Sequence, residues 1–405
     1  MPIGPVAGDR LFARVFRRPS EATGITMTCG RTRAISWIGV AVALVFAPVT
    51  VTAAEKPPQT VAEAVAIATK LAHASGPRGQ ASPVDQAALS TQADQIAAIP
   101  AAWIAPCLAA FTEATPAGAN WLRSGLERAV DRAGSTLAVE PLAVIVTDVK
   151  QPARVRTLAF AWLKDRDPTR AEGMLDTMLT DPALDLRREA VEKRLAAVSA
   201  AEEAVQQATH RQCLAAARDV DQIERIAGWL SEHGEKVNVA EVLGFVRKWR
   251  VSGEFDNAKG IGFAKAYPPE AAKPRPPEAS EWKVVESADK HGAVDLNTAI
   301  ATKKGVLAYA VADVVMPRGG PAEVRIGSPC AVAVWVNGTP VMAHEIYHAS
   351  EAIDQYVATA EFREGTNTVL VKCCQNEQTE PWAADWKFQL RVCDPVGSPL
   401  ATQPE

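Results

Sequence analysis

Two periodicities divide the chain. From Thr60 to about Gly234, apolar positions recur every three or four residues, the spacing of helices with one buried stripe. From Phe245 to Asp394 they alternate with polar residues or run in short β-branched blocks, the spacing of strands.

The helical half opens on Thr60-Val61-Ala62-Glu63, a capping box in which the threonine hydroxyl accepts from the backbone N–H three residues on. Ala64, Ile67, Ala68 and Leu71 then share one face. Ser75-Gly76-Pro77 to Ser82-Pro83 breaks the pattern. Helical segments follow over 84–99 and 103–111. Another opens at Asn120-Trp121-Leu122 and stops at Gly134. Arg156-x-x-Ala159 returns as Arg187-x-x-Ala190, each after a proline, Pro152 or Pro182. Asp181 is expected to cap a helix with Pro182 at its first position, and Leu184, Val191, Leu195 and Val198 to form its apolar stripe. This reads either as two HEAT-type units or as a plain helical bundle. The last helix is expected to be capped by Asp221, to bury Ile223, Ile226, Ala227 and Leu230, and to close at Gly234.

In the strand half the strongest local signal is Ala331 to Ala343, two apolar arms around Asn337-Gly338. Both turn residues tolerate positive φ, so a two-residue hairpin is expected, with Pro340 at an edge or a strand start. The stretch 249–257 alternates, and further strands are expected at 282–285, 305–312, 322–326, 356–362, 368–374 and 385–393. In the last, Phe388, Leu390 and Val392 alternate with Lys387, Gln389 and Arg391, which predicts one buried and one solvated face. A Pro-rich stretch, 268–277, reads as a crossing segment. Short strands at this spacing point to an antiparallel β-sandwich. The expected organisation is multi-domain α + β: a helical domain over 55–244, a sandwich over 245–396 and a flexible tail over 397–405.

Charge changes the picture at the N-terminus. Residues 1–54 hold six arginines against Asp9 and Glu21. Removing those six from 43 leaves 37 basic residues, and removing the two acids from 47 leaves 45, a net of −8. That disfavours a nucleic-acid partner. Ala34 to Ala54 carries no charge, follows Arg31 and Arg33, and ends in small residues, the anatomy of an export signal, with Met27 a plausible start. Export to the periplasm or cell surface is expected, with a membrane partner only if the segment stays uncleaved. Six cysteines follow it, at 107, 213, 330, 373, 374 and 393, in no zinc-ribbon spacing. Cys373 and Cys374, adjacent on a strand, should face opposite sides.

Candidate chemistry is sparse. His344-Glu345-Ile346-Tyr347-His348 matches HExxH. On a helix the two histidines would bind zinc and Glu345 would act as base, with Glu361 or Glu364 as a third ligand. The motif follows directly on a hairpin arm, which favours a loop instead. Asp256 and Asn257 near Gly260 could ligate a structural calcium or form an Asx turn. The loop Asn376 to Trp382 offers Asn376 and Gln378 to hydroxyls and Trp382 to a sugar face. Alternatively, Trp382 caps the core, which is the favoured expectation. Tyr347, His348, Asp354 and Gln355 are candidates to lie near that loop. No Walker A loop, Gly-x-Ser-x-Gly elbow or dinucleotide fingerprint is present.

Gly365-Thr-Asn367-Thr-Val-Leu-Val-Lys372, Trp386-Lys-Phe388-Gln-Leu390-Arg391 and the Val334-Trp-Val-Asn-Gly338 hairpin resemble the closing strands of galactose-binding-like jelly rolls. The order of parts over about 120–394 is similar to uncharacterised secreted proteins of planctomycete bacteria. The resemblance implies a fold and export, and brings no catalytic residues. The expected function is therefore non-catalytic binding or scaffolding, with a glycan or a protein held by the sandwich and no cofactor beyond a structural calcium. The alternatives are a zinc-dependent hydrolase or a purely structural scaffold.

Overall fold

In the computed structural model, which describes residues 56–74, 83–271 and 282–404, helices fill 61–243 and two antiparallel sheets fill 248–393. The export segment and the Pro-rich stretch beyond Ala271 lie outside the described residues. The helices are α1 (Val61–Ala72), α2 (Pro83–Ala97), α3 (Ile104–Leu108), α4 (Pro116–Ala133), α5 (Val139–Thr147), α6 (Ala153–Arg166), α7 (Pro168–Met174), α8 (Leu184–Ala197), α9 (Glu203–Ala216), α10 (Val220–Glu232) and α11 (Val239–Leu243). Among the described residues, no single helix is long and apolar enough to cross a membrane.

The capping box at α1 forms: Thr60 Oγ1 accepts from Glu63 N at 3.1 Å, although Glu63 Oε2 takes the N–H of Gln59 rather than that of Thr60. α4 starts earlier than its pattern suggests, because Thr115 caps it and Pro116 follows. Gly118 lets α4 approach α1, since a Cβ there would lie 2.0 Å from the Ala72 carbonyl oxygen. The arginine echo has a geometric cause. Arg156, 1% exposed, forks onto both carboxylate oxygens of Asp181 at 2.6 Å, and Arg187 Nε donates to the Asp181 carbonyl at 2.7 Å. Both arginines converge on one aspartate between helices.

Asp181 is therefore not a helix cap. Its Oδ1 accepts from Ala183 N, and α8 starts one residue later, without a side-chain cap. Leu184 is exposed, and the stripe of α8 is Leu186, Ala190 and Val191. Asp221 likewise lies inside the first turn of α10 and pairs with Arg188.

The sandwich comprises β1 (Lys248–Asp256), β2 (Lys283–Glu286), β3 (Val294–Asp295), β4 (Val306–Met316), β5 (Gly320–Gly327), β6 (Ala331–Val336), β7 (Thr339–His344), β8 (Tyr356–Phe362), β9 (Gly365–Cys374) and β10 (Lys387–Cys393), with short helices α12 (Pro268–Ala271) and α13 (Leu296–Ala299) between strands. One sheet runs β2-β1-β4-β9-β6-β7 and the other β3-β10-β5-β8. The Asn337-Gly338 turn has φ of 51° and 80°, as its sequence requires, and Pro340 lies on the edge strand β7. Asn367, 1% exposed, holds this corner: it accepts from Arg363 N and Asn337 Nδ2 and donates to the carbonyls of Arg363 and Gly365.

The core between the sheets contains Val332, Val334, Val371 and Cys373 from one side and Val324, Phe388, Leu390 and Val392 from the other. Cys374 faces the opposite side of its sheet, as adjacency on a strand demands. All six described cysteines are buried free thiols.

Two expectations fail for one reason, burial by tertiary contact. The outer face of β10 is not solvated: Gln389 is 4% and Arg391 3% exposed. Gly327 allows the segment 349–355 to cross this face, since a Cβ there would lie 2.2 Å from the Ala352 carbonyl oxygen. Arg391 Nε donates to Asp354 Oδ1 at 2.8 Å, its NH2 group also bonds Asp354, and NH1 donates to the carbonyl of Leu243 at the end of α11. Its guanidinium lies 5.8 Å from the Phe245 ring centroid. The expected tail is also bound: Val315 and Thr402 exchange backbone hydrogen bonds, and Gln403 bonds the backbone of Lys248.

Burial raises the Asp354 carboxyl pKa, but hydrogen bonds and charge from Arg391 and then Arg325 outweigh it and hold the group below its ordinary range. Its stabilising contribution is therefore full above the unfolded value of about 3.9 and is lost as pH falls through the lower folded value. Asp354→Asn should cost about 3–5 kcal/mol at neutral pH, because it leaves Arg391 buried without an anion. Denaturant midpoints across pH should show this gap constant above about pH 4 and closing below it. A gap that persists undiminished into strong acid would contradict the assignment.

Candidate functional site

The sequence-derived candidates fall into separate places. His344 ends β7, and residues 345–348 are not helical, so the HExxH side chains lack the one-turn spacing that zinc binding by this motif requires. The His344 ring instead stacks on Tyr356 at 3.9 Å, and His348 Nε2 pairs with the Tyr356 hydroxyl at 2.7 Å. This removes the helical zinc-hydrolase geometry. Edge-strand pairing with Val332 outcompetes the helix that the motif would need.

Tyr347 turns the other way, and its hydroxyl accepts from Asn257 Nδ2 at 3.3 Å. Burial pushes the Tyr347 phenol well above its usual range. Asn257 is fully buried and also donates to the Gln375 carbonyl at 3.0 Å. Among the described residues its Oδ1 has no hydrogen-bond partner, but a Cβ on Gly262 would lie 2.9 Å from it, so backbone packs against this oxygen. Asp256 Oδ1 accepts from Ala258 N. Among the described residues, no three His, Cys, Asp or Glu side chains are grouped as a metal would require. The loop is an Asx turn pinned to the end of β9.

Asp354 is committed to Arg325 and Arg391, and Gln355 Oε1 accepts from Ser328 N at 3.1 Å. Asn376 and Gln378 bond each other across a local turn. Trp382, in the turn Pro381–Ala383, is 47% exposed and does not cap the core. Trp386 does so instead: it is fully buried and donates from Nε1 to the Cys373 carbonyl at 3.2 Å. The two tryptophans lie four positions apart, and only the start of β10 decides which one enters the core.

One polar cleft on the sandwich is marked by no sequence motif. It holds about 510 Å³ where the loop before β3, the segment 349–355 and the start of β10 meet. Asp289, Asp295, Glu351 and Asp385 line it, with His291, Lys387 and Gln389. Asp289 and Asp295 cap their turns: Asp289 accepts from His291 N and Asp295 from Asn297 N and Thr298 N. Lys387 pairs with Glu351 at 2.9 Å and Asp385 at 2.8 Å. Burial works against the Lys387 charge, but Asp385 and Glu351 hold its pKa above the usual lysine range. The loop is tied to the helical part, since Glu224 on α10 pairs with Lys290 at 2.8 Å and His291 at 2.6 Å. The available clue was the polar phase of β10, where Gln389 repeats on the side away from the core.

Trp382→Ala should leave stability within about 1 kcal/mol, as for other exposed positions, whereas Trp386→Ala should cost about 3–5 kcal/mol. Thermal melts of the two variants check this, and a large loss in the first would return Trp382 to the core.

In comparisons with known proteins, no family model matches this chain, and no curated protein is significantly similar to it.

Proposed function

We propose that the chain is an exported, non-catalytic binding protein whose β-sandwich holds a glycan, the helical part providing a second contact surface. The cleft beside β3 and β10 carries this reading. Its volume suits a small sugar unit, and its walls offer carboxylates and amides, the groups that hydrogen-bond hydroxyls. The residues that could have supported hydrolysis are tied up elsewhere, His344 and His348 around Tyr356. The galactose-binding-like resemblance supports a jelly roll with a ligand site in its loops. The shared Asp181 favours HEAT-type stacking of the helices over a plain bundle. The charge-free segment after Arg31 and Arg33 supports export.

A glycan array probed with the full chain should find at least one oligosaccharide that soluble sugar competes away, and no cleavage of glycan or peptide substrates. The double variant His344→Ala/His348→Ala should keep that affinity within about twofold, since neither side chain reaches the cleft. Zinc-dependent turnover lost in that variant would overturn the reading. Sequencing of the protein recovered outside the cytoplasm should begin near Ala54; a chain retained inside with Trp37 intact would overturn export.

A further inference from the structure

Resting on that binding reading, we infer that the cleft takes a glycan carrying a protonated amine, that is, an amino sugar with its nitrogen unacylated. The walls carry four carboxylates against one lysine, so the local field favours a cation. A bare metal ion is disfavoured by geometry: among the described residues, no three acidic or histidine groups are grouped tightly enough to share one. The carboxylates come from three segments around the cleft, so the cation belongs to a larger molecule that spans them.

A second, independent observation comes from the floor. Gln389 is 4% exposed and lines the cleft. Its amide is not among the enclosed unpaired groups, so it stays open to the cleft. An amide offers one acceptor and two donors, which suits a sugar hydroxyl. Gly327 beside it on β5 is kept free of a side chain, since a Cβ there would lie 3.0 Å from Gln389 Nε2. The wall carboxylates differ in freedom. Asp289 and Asp295 are held by backbone N–H groups, which fixes their positions. Glu351 and Asp385 share the one lysine, so two negative charges face a single positive one at this end. An incoming ammonium would complete that pairing with charge-assisted hydrogen bonds. The floor would read the sugar ring and the wall its charge.

The probes are hexamers of glucosamine, N-acetylglucosamine and glucose, and a tetralysine peptide, titrated into the full chain at mildly acidic pH. The glucosamine hexamer should bind about tenfold or more tightly than its acetylated counterpart, with an affinity that falls as salt rises. Glu351→Gln/Asp385→Asn should abolish that preference, and Gln389→Leu should weaken binding of every hexamer. Melting curves establish that each variant is folded; if the double variant is not, Asp385→Asn alone and the salt dependence of the unmodified chain carry the test. Equal binding of acetylated and free hexamers would overturn the charge assignment while leaving glycan binding intact. Binding of tetralysine without any hexamer would assign the cleft to a peptide. If no hexamer and no other glycan binds, the binding reading fails together with this inference.

Discussion

One guanidinium sets the arrangement of the whole molecule. Arg391 extends from the outer face of β10 and engages Asp354 with two of its nitrogens and the last carbonyl of α11 with a third. A buried arginine is tolerated only when its donors are satisfied, and here the partners come from two other parts of the chain. The sheet, the crossing segment and the end of the helical region must all be in place before that charge is paired. Asp354 takes a positive φ of 58° to meet it, and Arg325 shares the same carboxylate. Helical region and sandwich are thus joined by a buried hydrogen bond from this ion-paired guanidinium to the Leu243 carbonyl.

The outer face of the larger sheet is closed by similar means. Lys372 points away from the inter-sheet core, is 1% exposed, and donates to the carbonyls of Phe263 and Lys265 and to Glu270 at 2.8–2.9 Å. Tyr309 bonds the same glutamate, and Phe255 and Tyr267 close over them. The segment from 257 to 271 is thereby strapped across the sheet by a buried ion pair whose other donors are backbone-bound. Each outer face is thus partly covered by the protein's own chain, while Val357 on the edge strand β8 stays exposed. The rim where β3 ends after two residues and the crossing segment turns away stays open, and the polar cleft lies there.

This geometry explains why acidic groups gather without forming a metal centre. Asp289 and Asp295 are needed to cap turns, and Glu351 and Asp385 to hold Lys387, so each has a local reason for its position. Their sum is a concave negative surface with Gln389 in its lining.

Local physics alone determined much of this. Asn337-Gly338 specifies its turn because few other residue pairs accept two positive φ values, and alternation specifies β8 as Tyr356–Phe362 because side chains on a strand point to opposite faces. The same rule separates Cys373 from Cys374. Alternation cannot say what covers the second face, so Gln389 and Arg391 read as solvated until the crossing segment and α11 are placed over them. Spacing cannot say whether His344 lies on a helix or a strand, because that depends on pairing with Val332, a partner outside the motif. Nor can it choose between Trp382 and Trp386, since burial depends on where β10 begins. The sequence by itself determined the elements and their faces, which depend on neighbours a few residues away. Only the tertiary structure decided the cleft, because its walls come from three segments between residues 289 and 389 that meet through long-range contacts.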